Sequence, residues 1–161
     1  MKLSDEAVAA LARAIGIDAQ EIAKRKAFLE FGEADIQLLT DLHKRIHGAQ
    51  QRFVDEFYAH LLEFDETRRF ISDEQSLARL KRTQSAYFES LTAGDYGTAY
   101  ILDRLRVGVV HQRIGLAPKW YIGAYSKYFS GLLHRNPQKF LDTYRAMQKI
   151  VLLDRGLAID T

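Results

Sequence analysis

From Val107 to Tyr125 the chain reads VGVVHQRIGLAPKWYIGAY, and the reading of this stretch decides the fold. Val107, Val110, His111 and Ile114 recur at three- and four-residue spacing, the period of a helix face, and continue a stripe begun by Ile101 and Leu105. Gly115 ends that helix, because glycine takes left-handed backbone without a Cβ clash, and Pro118 opens the next with its fixed φ. An imidazole therefore lies on an apolar stripe in the last turn of a helix. Burial there disfavours the imidazolium, which leaves the ring neutral, the form that binds a metal. Gly108, one turn earlier, lets a flat group or another helix approach closely.

The same spacing recurs in both directions, and no stretch alternates apolar and polar residues between turn signals, so the fold class is all-α. Helices are expected over about Ser4 to Ile15, capped by Ser4, and Asp18 to Phe31, before Gly32. Next come Glu33 to His47, stopped by Gly48, and Gln50 to Phe64, with Phe53, Phe57, Tyr58 and Leu61 on one stripe. Ser72 with Gln75 forms a capping box for a helix running to about Leu91, with Leu77, Leu80, Gln84 and Tyr87 inward. Thr98 to Gly115, Pro118 to Leu133, and Pro137 to the end complete the set. Residues 1–161 read as one domain, with about 1–31 as an N-terminal helical extension. The last helix reaches Asp160 and Thr161 with neither a glycine cap nor a proline stop, as if cut or continued elsewhere.

Composition narrows the chemistry. The chain has no cysteine, which removes disulfides, thiolate-ligated haem, iron–sulfur clusters and cysteine zinc sites together. A net charge of +2, with basic residues scattered among acidic ones, leaves no basic stripe for nucleic acid. Asp5, Glu6 and Arg13 interrupt the stretch where a signal peptide would be apolar, and later apolar runs are short, so a soluble, cytoplasmic chain without membrane contact is expected.

Any metal site must then use His, Tyr or carboxylates. His43 and His47 have ligand-compatible spacing but no acid beside the first, and read best as a solvated helix end. His60 and His134 read as surface residues. His111 keeps two readings on residues alone: a core histidine bonded to a carbonyl, or a ligand to a bound group. Tyr58, a phenol on an apolar stripe, packs with its hydroxyl at a wet rim or donates to something bound.

The Val107–Tyr125 stretch resembles the signature of bacterial globin-coupled sensors. Three other stretches agree in order: Arg25-Lys26-Ala27-Phe28-Leu29 with Asp35, Glu56-Phe57-Tyr58 with His60-Leu61, and Phe70-Ile71-Ser72. The resemblance covers almost the whole chain. It implies a globin fold with an N-terminal extension, one haem b (iron protoporphyrin IX), and O2 as the ligand sensed. By resemblance His111 is the proximal metal ligand and Tyr58 the distal tyrosine. Leu80 and Thr83 fall on the helix over the distal face, and their spacing puts both on one side of it. Tyr121 is similar to a tyrosine able to bond the other nitrogen of His111, and Phe57 and Ile114 would touch the haem. No histidine stands between Ser72 and Leu91, so stabilisation of the gas rests on Tyr58, whose phenol favours oxygen over the poorer acceptor carbon monoxide.

In that family the last two long helices of two protomers pair into a four-helix bundle and pass the signal to an output domain. A homodimer is therefore expected, with Tyr125, Phe129, Leu132 and Leu133 on one helix and Met147, Ile150, Val151, Leu153 and Leu157 on the other offering apolar surface for core and partner. A sensor rather than an enzyme follows. The rival readings are a haem-free globin-like signalling module, a gas-detoxifying haem enzyme, for which no flavin or nicotinamide motif is present, and a plain helical interaction domain.

Overall fold

The computed structural model describes residues 4–46, 48, 50–132 and 140–160, and every regular element among them is a helix. In chain order these are α1 (Asp5–Ala14), α2 (Ala19–Phe28), α3 (Glu33–Ile46), α4 (Gln50–Leu61), α5 (Asp65–Arg68), α6 (Glu74–Thr92), α7 (Thr98–Arg113), α8 (Pro118–Leu132) and α9 (Phe140–Ile159). The all-α expectation holds. The expected start at Pro137 lies outside the described residues.

Local chemistry sets the boundaries. Ser4 Oγ accepts from Ala7 N–H at 3.2 Å and Asp18 from Glu21 N–H at 2.8 Å, so each caps the helix that follows. α6 begins one residue later than its capping box implies: Asp73, not Ser72, accepts from Ser76 N–H, at 2.7 Å. A carboxylate suits a helix N-terminus better than a hydroxyl because its charge faces the positive end of the dipole. Gly115, at φ +70°, closes α7 with Leu116 N–H donating to His111 C=O at 3.0 Å, the glycine-closed motif expected there. The four-residue α5 has no periodicity of its own and went unread in the sequence. Thr67 anchors it by donating its hydroxyl to Leu61 C=O.

α9 is the central element, packed against α3, α7 and α8. Ala146, Met147, Ile150, Val151, Leu153 and Leu157 recur at helical spacing and are buried. Each large side chain among them contributes roughly 1.5–3 kcal/mol by leaving water. The expectation that this set also faces a partner is therefore corrected: these residues belong to the chain's own core, and Leu141, Leu152 and Ile159 are the exposed apolar positions of α9. α4 lies on α6, and α1 on α7, where Val8 and Ala12 join the same core. Gly94, at φ +90°, lets the α6–α7 turn rest on α3, since a Cβ there would stand 2.7 Å from Thr40 Oγ1.

Candidate functional site

Four helical stripes meet around one cavity of about 350 Å³. α4 contributes Phe57, Tyr58 and Leu61; α6 contributes Leu80, Thr83, Gln84 and Tyr87; α7 contributes Val107, Val110 and His111, with Ile114 at its C-cap; α8 contributes Tyr121, Ala124 and Tyr125. Each set follows three- and four-residue spacing, so the cavity is where these faces converge. The seven residues singled out in the sequence, His111, Tyr58, Phe57, Leu80, Thr83, Ile114 and Tyr121, all line it. Among the described residues, Arg106 is the one formally charged side chain in the lining.

His111 sits in the last turn of α7 with its Nδ1 buried and without a hydrogen bond. Burial pulls its pKa down to about 4, so the ring is neutral at ordinary pH and can offer a lone pair. Val110 and Ile114, flanking it on the same face, are each 45% exposed beside the cavity. Tyr58 is buried on α4, its ring edge-on to Phe57 at 5.5 Å, and burial pushes its phenol up to about 12. It is a proton donor throughout the neutral range. Thr83 is exposed and turns its hydroxyl back to Arg79 C=O at 3.2 Å, while Leu80 is half-buried.

The Tyr121 ring lies 4.8 Å from that of His111, yet its hydroxyl goes elsewhere: it meets Tyr125 OH at 2.7 Å. A direct Tyr121–His111 hydrogen bond, implied by resemblance, is absent from this arrangement. Tyr125 OH in turn lies 2.5 Å from Tyr87 OH, and Tyr87 donates to Asp154 Oδ2 at 2.7 Å. Tyr100 donates to Asp154 Oδ1, and Arg104 Nε stands 3.6 Å from Oδ2. The Arg104 guanidinium is sandwiched between the Tyr87 and Tyr100 rings, 3.9 and 4.3 Å from their centroids. The hydrogen-bonded phenols thus run from beside His111 to a fully buried carboxylate on α9.

The sequence reading missed this cluster, although a signal existed. Asp154 lies at helical spacing from Ile150, Val151 and Leu157, and Arg104 from Ile101 and Gly108, so each is a charge on an apolar stripe. Phe70 and Ile71 also line the cavity from a segment that carries no periodic stripe of its own, and Trp120 joins them from the first turn of α8. Among the other histidines, His43 is half-buried with Nδ1 2.9 Å from Thr92 Oγ1, rather than solvated, because α3 packs on α6 there. His60 is 35% exposed, 3.1 Å from Glu63. His47 and His134 lie outside the described residues.

The chain spans about a third of the length of a curated relative that it matches. That relative is the "Heme-based aerotactic transducer HemAT" of Halobacterium salinarum, 35% identical over 168 aligned positions that cover 94% of this chain and 34% of the transducer. Among solved structures, the globin domain of the Geobacter sulfurreducens globin-coupled sensor is similar, with a TM-score of 0.77 and 28% identity over 88% of this chain and 95% of that one. The fold is thus a globin fold. The Protoglobin family model matches residues 18–161, and the chain belongs to that family.

Proposed function

We propose that this chain is a haem-based oxygen-sensing globin domain, with His111 as the iron ligand and Tyr58 as the hydrogen-bond donor to the gas. The observation that carries the reading is that a neutral His111 with an unpartnered Nδ1 shares the wall of one apolar cavity with a buried, protonated Tyr58. The residues present fit such a group: an apolar, partly open cleft with exposed Val110 and Ile114 at its wall, one nitrogen ligand and one hydroxyl donor. No cysteine is available for covalent attachment, which agrees with the haem b that the resemblance implies.

Haem, when bound, supplies a ferrous iron that takes up a diatomic gas reversibly. His111 holds the metal through a lone pair that burial keeps unprotonated. Phe57, Leu80 and Ile114 would hold the macrocycle by apolar contact, and Thr83 lines the same cavity. Tyr58 stabilises a ligand that gathers negative charge, which sets oxygen apart from carbon monoxide. Tyr121 stands beside His111, ring against ring at 4.8 Å. Arg106, paired with Asp5 at 2.5 Å and with Asp103, offers a cation to the carboxylates of the macrocycle.

The sensor works in the cytoplasm as a homodimer joined to an output domain, and is not itself an enzyme. No helix among the described residues is long and apolar enough to cross a membrane. Leu141, Leu152 and Ile159, 54%, 42% and 58% exposed, fall on one side of α9 at intervals of eleven and seven residues, which supports pairing through that helix. The greater length of the Halobacterium transducer supports the output domain. Titration of the purified chain with haem is expected to give a Soret band saturating at one haem per chain. Titration with no end point at that ratio would count against the proposal.

A further inference from the structure

Tyr121, Tyr125 and Tyr87 each carry one hydroxyl proton, and Asp154 decides where those protons point. Arg104 is 2% exposed, and a guanidinium keeps its charge. A buried cation needs a counter-charge, and the carboxylate beside it is that of Asp154. Asp154 is therefore ionised and can only accept. Tyr87 and Tyr100 give it their protons. The Tyr87 oxygen has then committed its proton and can only accept, from Tyr125 at 2.5 Å and from the nearby Tyr121. The same reasoning extends one step: the Tyr121 proton is taken up within the cluster, by the Tyr125 oxygen at 2.7 Å or by that of Tyr87. Tyr121 is left with an oxygen that accepts, and its ring lies 4.8 Å from that of His111, whose Nδ1 is the buried atom lacking a partner.

We infer that Asp154 on α9 is a positioning residue for His111: through the ordered hydroxyls of Tyr87 and Tyr125 it leaves the Tyr121 oxygen beside His111 with acceptor capacity alone, which biases the imidazole toward the tautomer with its proton on Nδ1 without a direct hydrogen bond between the two in this structure. The consequence for the metal rests on the haem reading above; the proton order rests on Asp154 and Arg104. A neutral imidazole with its proton on Nδ1 keeps its lone pair on Nε2, and an acceptor able to receive that N–H would make the lone pair more basic. One carboxylate, on the helix that carries the exposed apolar side, thereby governs the donor strength of a ring three hydroxyls away. A protonated or amide group in its place could donate to Tyr87, and the whole order could reverse, leaving Tyr121 free to donate.

Two variants that each remove one hydrogen bond to Asp154 separate this from a merely structural role. Tyr87→Phe keeps the ring and breaks the order; Tyr100→Phe also removes one hydrogen bond to Asp154 but leaves the order of the other three hydroxyls intact. Asp154→Asn is the second order-breaking variant, and Tyr121→Phe marks complete loss of the acceptor. Long-range nitrogen–proton NMR of histidine-labelled, haem-free chain reads the His111 tautomer, and resonance Raman of the reduced, haem-loaded chain reads the iron–histidine stretch. Wild type and Tyr100→Phe are expected to show the Nδ1–H tautomer alone and a common stretching frequency. Tyr87→Phe and Asp154→Asn are expected to mix the two tautomers and to lower the frequency toward that of Tyr121→Phe. The inference is overturned if Tyr87→Phe leaves both readouts at wild type, or if Tyr100→Phe moves them as far. A missing Soret band would refute the haem reading separately and leave the tautomer comparison to decide this one.

Discussion

Replacing Tyr58 by Phe keeps a ring that is 6% exposed and deletes one hydroxyl, so the cavity wall stays packed while its donor disappears. Burial holds the phenol up to about 12, so in the wild type the donor is present at every pH used for handling the protein. A hydrogen bond to a charge-bearing acceptor contributes about 1.5–3 kcal/mol. Since 1.4 kcal/mol is about tenfold, Tyr58→Phe should release oxygen roughly 10- to 100-fold faster. Carbon monoxide, a weak acceptor, should change by about threefold or less, the equivalent of a fraction of a kcal/mol. Stopped-flow displacement and flash photolysis measure both rates on one sample. An unchanged oxygen dissociation rate, or equal changes for the two gases, refutes the assignment of Tyr58 as donor.

Other consequences concern stability. Glu30 holds left-handed backbone at φ +52° where the chain leaves α2, a conformation that costs a side-chain-bearing residue about 1 kcal/mol; Glu30→Gly should raise the unfolding free energy by about 0.5–1 kcal/mol in urea denaturation, and a loss would contradict the strain argument. Arg104→Met strands the buried Asp154 carboxylate and should cost about 3–5 kcal/mol, only part of it recovered by adding Asp154→Leu, which leaves the Tyr87 and Tyr100 hydroxyls without their acceptor; a single variant as stable as wild type would show that the pair is not charged. Burial raises the phenols of Tyr58, Tyr87, Tyr96, Tyr100, Tyr121 and Tyr125, so the folded state binds their protons more tightly than the unfolded state does. Their contribution is complete below the unfolded value of 10 and is lost as pH climbs through the folded values, about 12 for Tyr58. Absorbance at about 295 nm, where tyrosinate absorbs, should therefore rise together with loss of helical circular dichroism; independent titration near pH 10 would oppose this.

What was legible in the sequence followed from short-range physics. Apolar spacing named the helices, Ser4 and Asp18 named two starts, and the Gly115–Pro118 punctuation placed His111 in a last turn beside a second helix. The stripes of α4, α6 and α7 could be seen separately, and resemblance indicated which of their residues belong together. Interactions across the chain were not legible. Asp154 meets Tyr100 and Arg104 across some fifty positions, and the pairing of His43 with Thr92 depends on how α3 lies on α6. The apolar residues of α9 could not be divided between core and outer side by composition, since Leu152 and Leu153 are identical in type and differ only in the direction they face.

The central claim is tested most directly by the absorption spectrum of the purified chain, reduced with dithionite and then exposed to oxygen, for wild type and His111→Ala. The account predicts a five-coordinate ferrous spectrum in the wild type that converts reversibly to an oxygenated form, and a variant in which haem binding is lost or severely disturbed. Absence of a Soret band after haem reconstitution, or a His111→Ala spectrum indistinguishable from wild type, would contradict it.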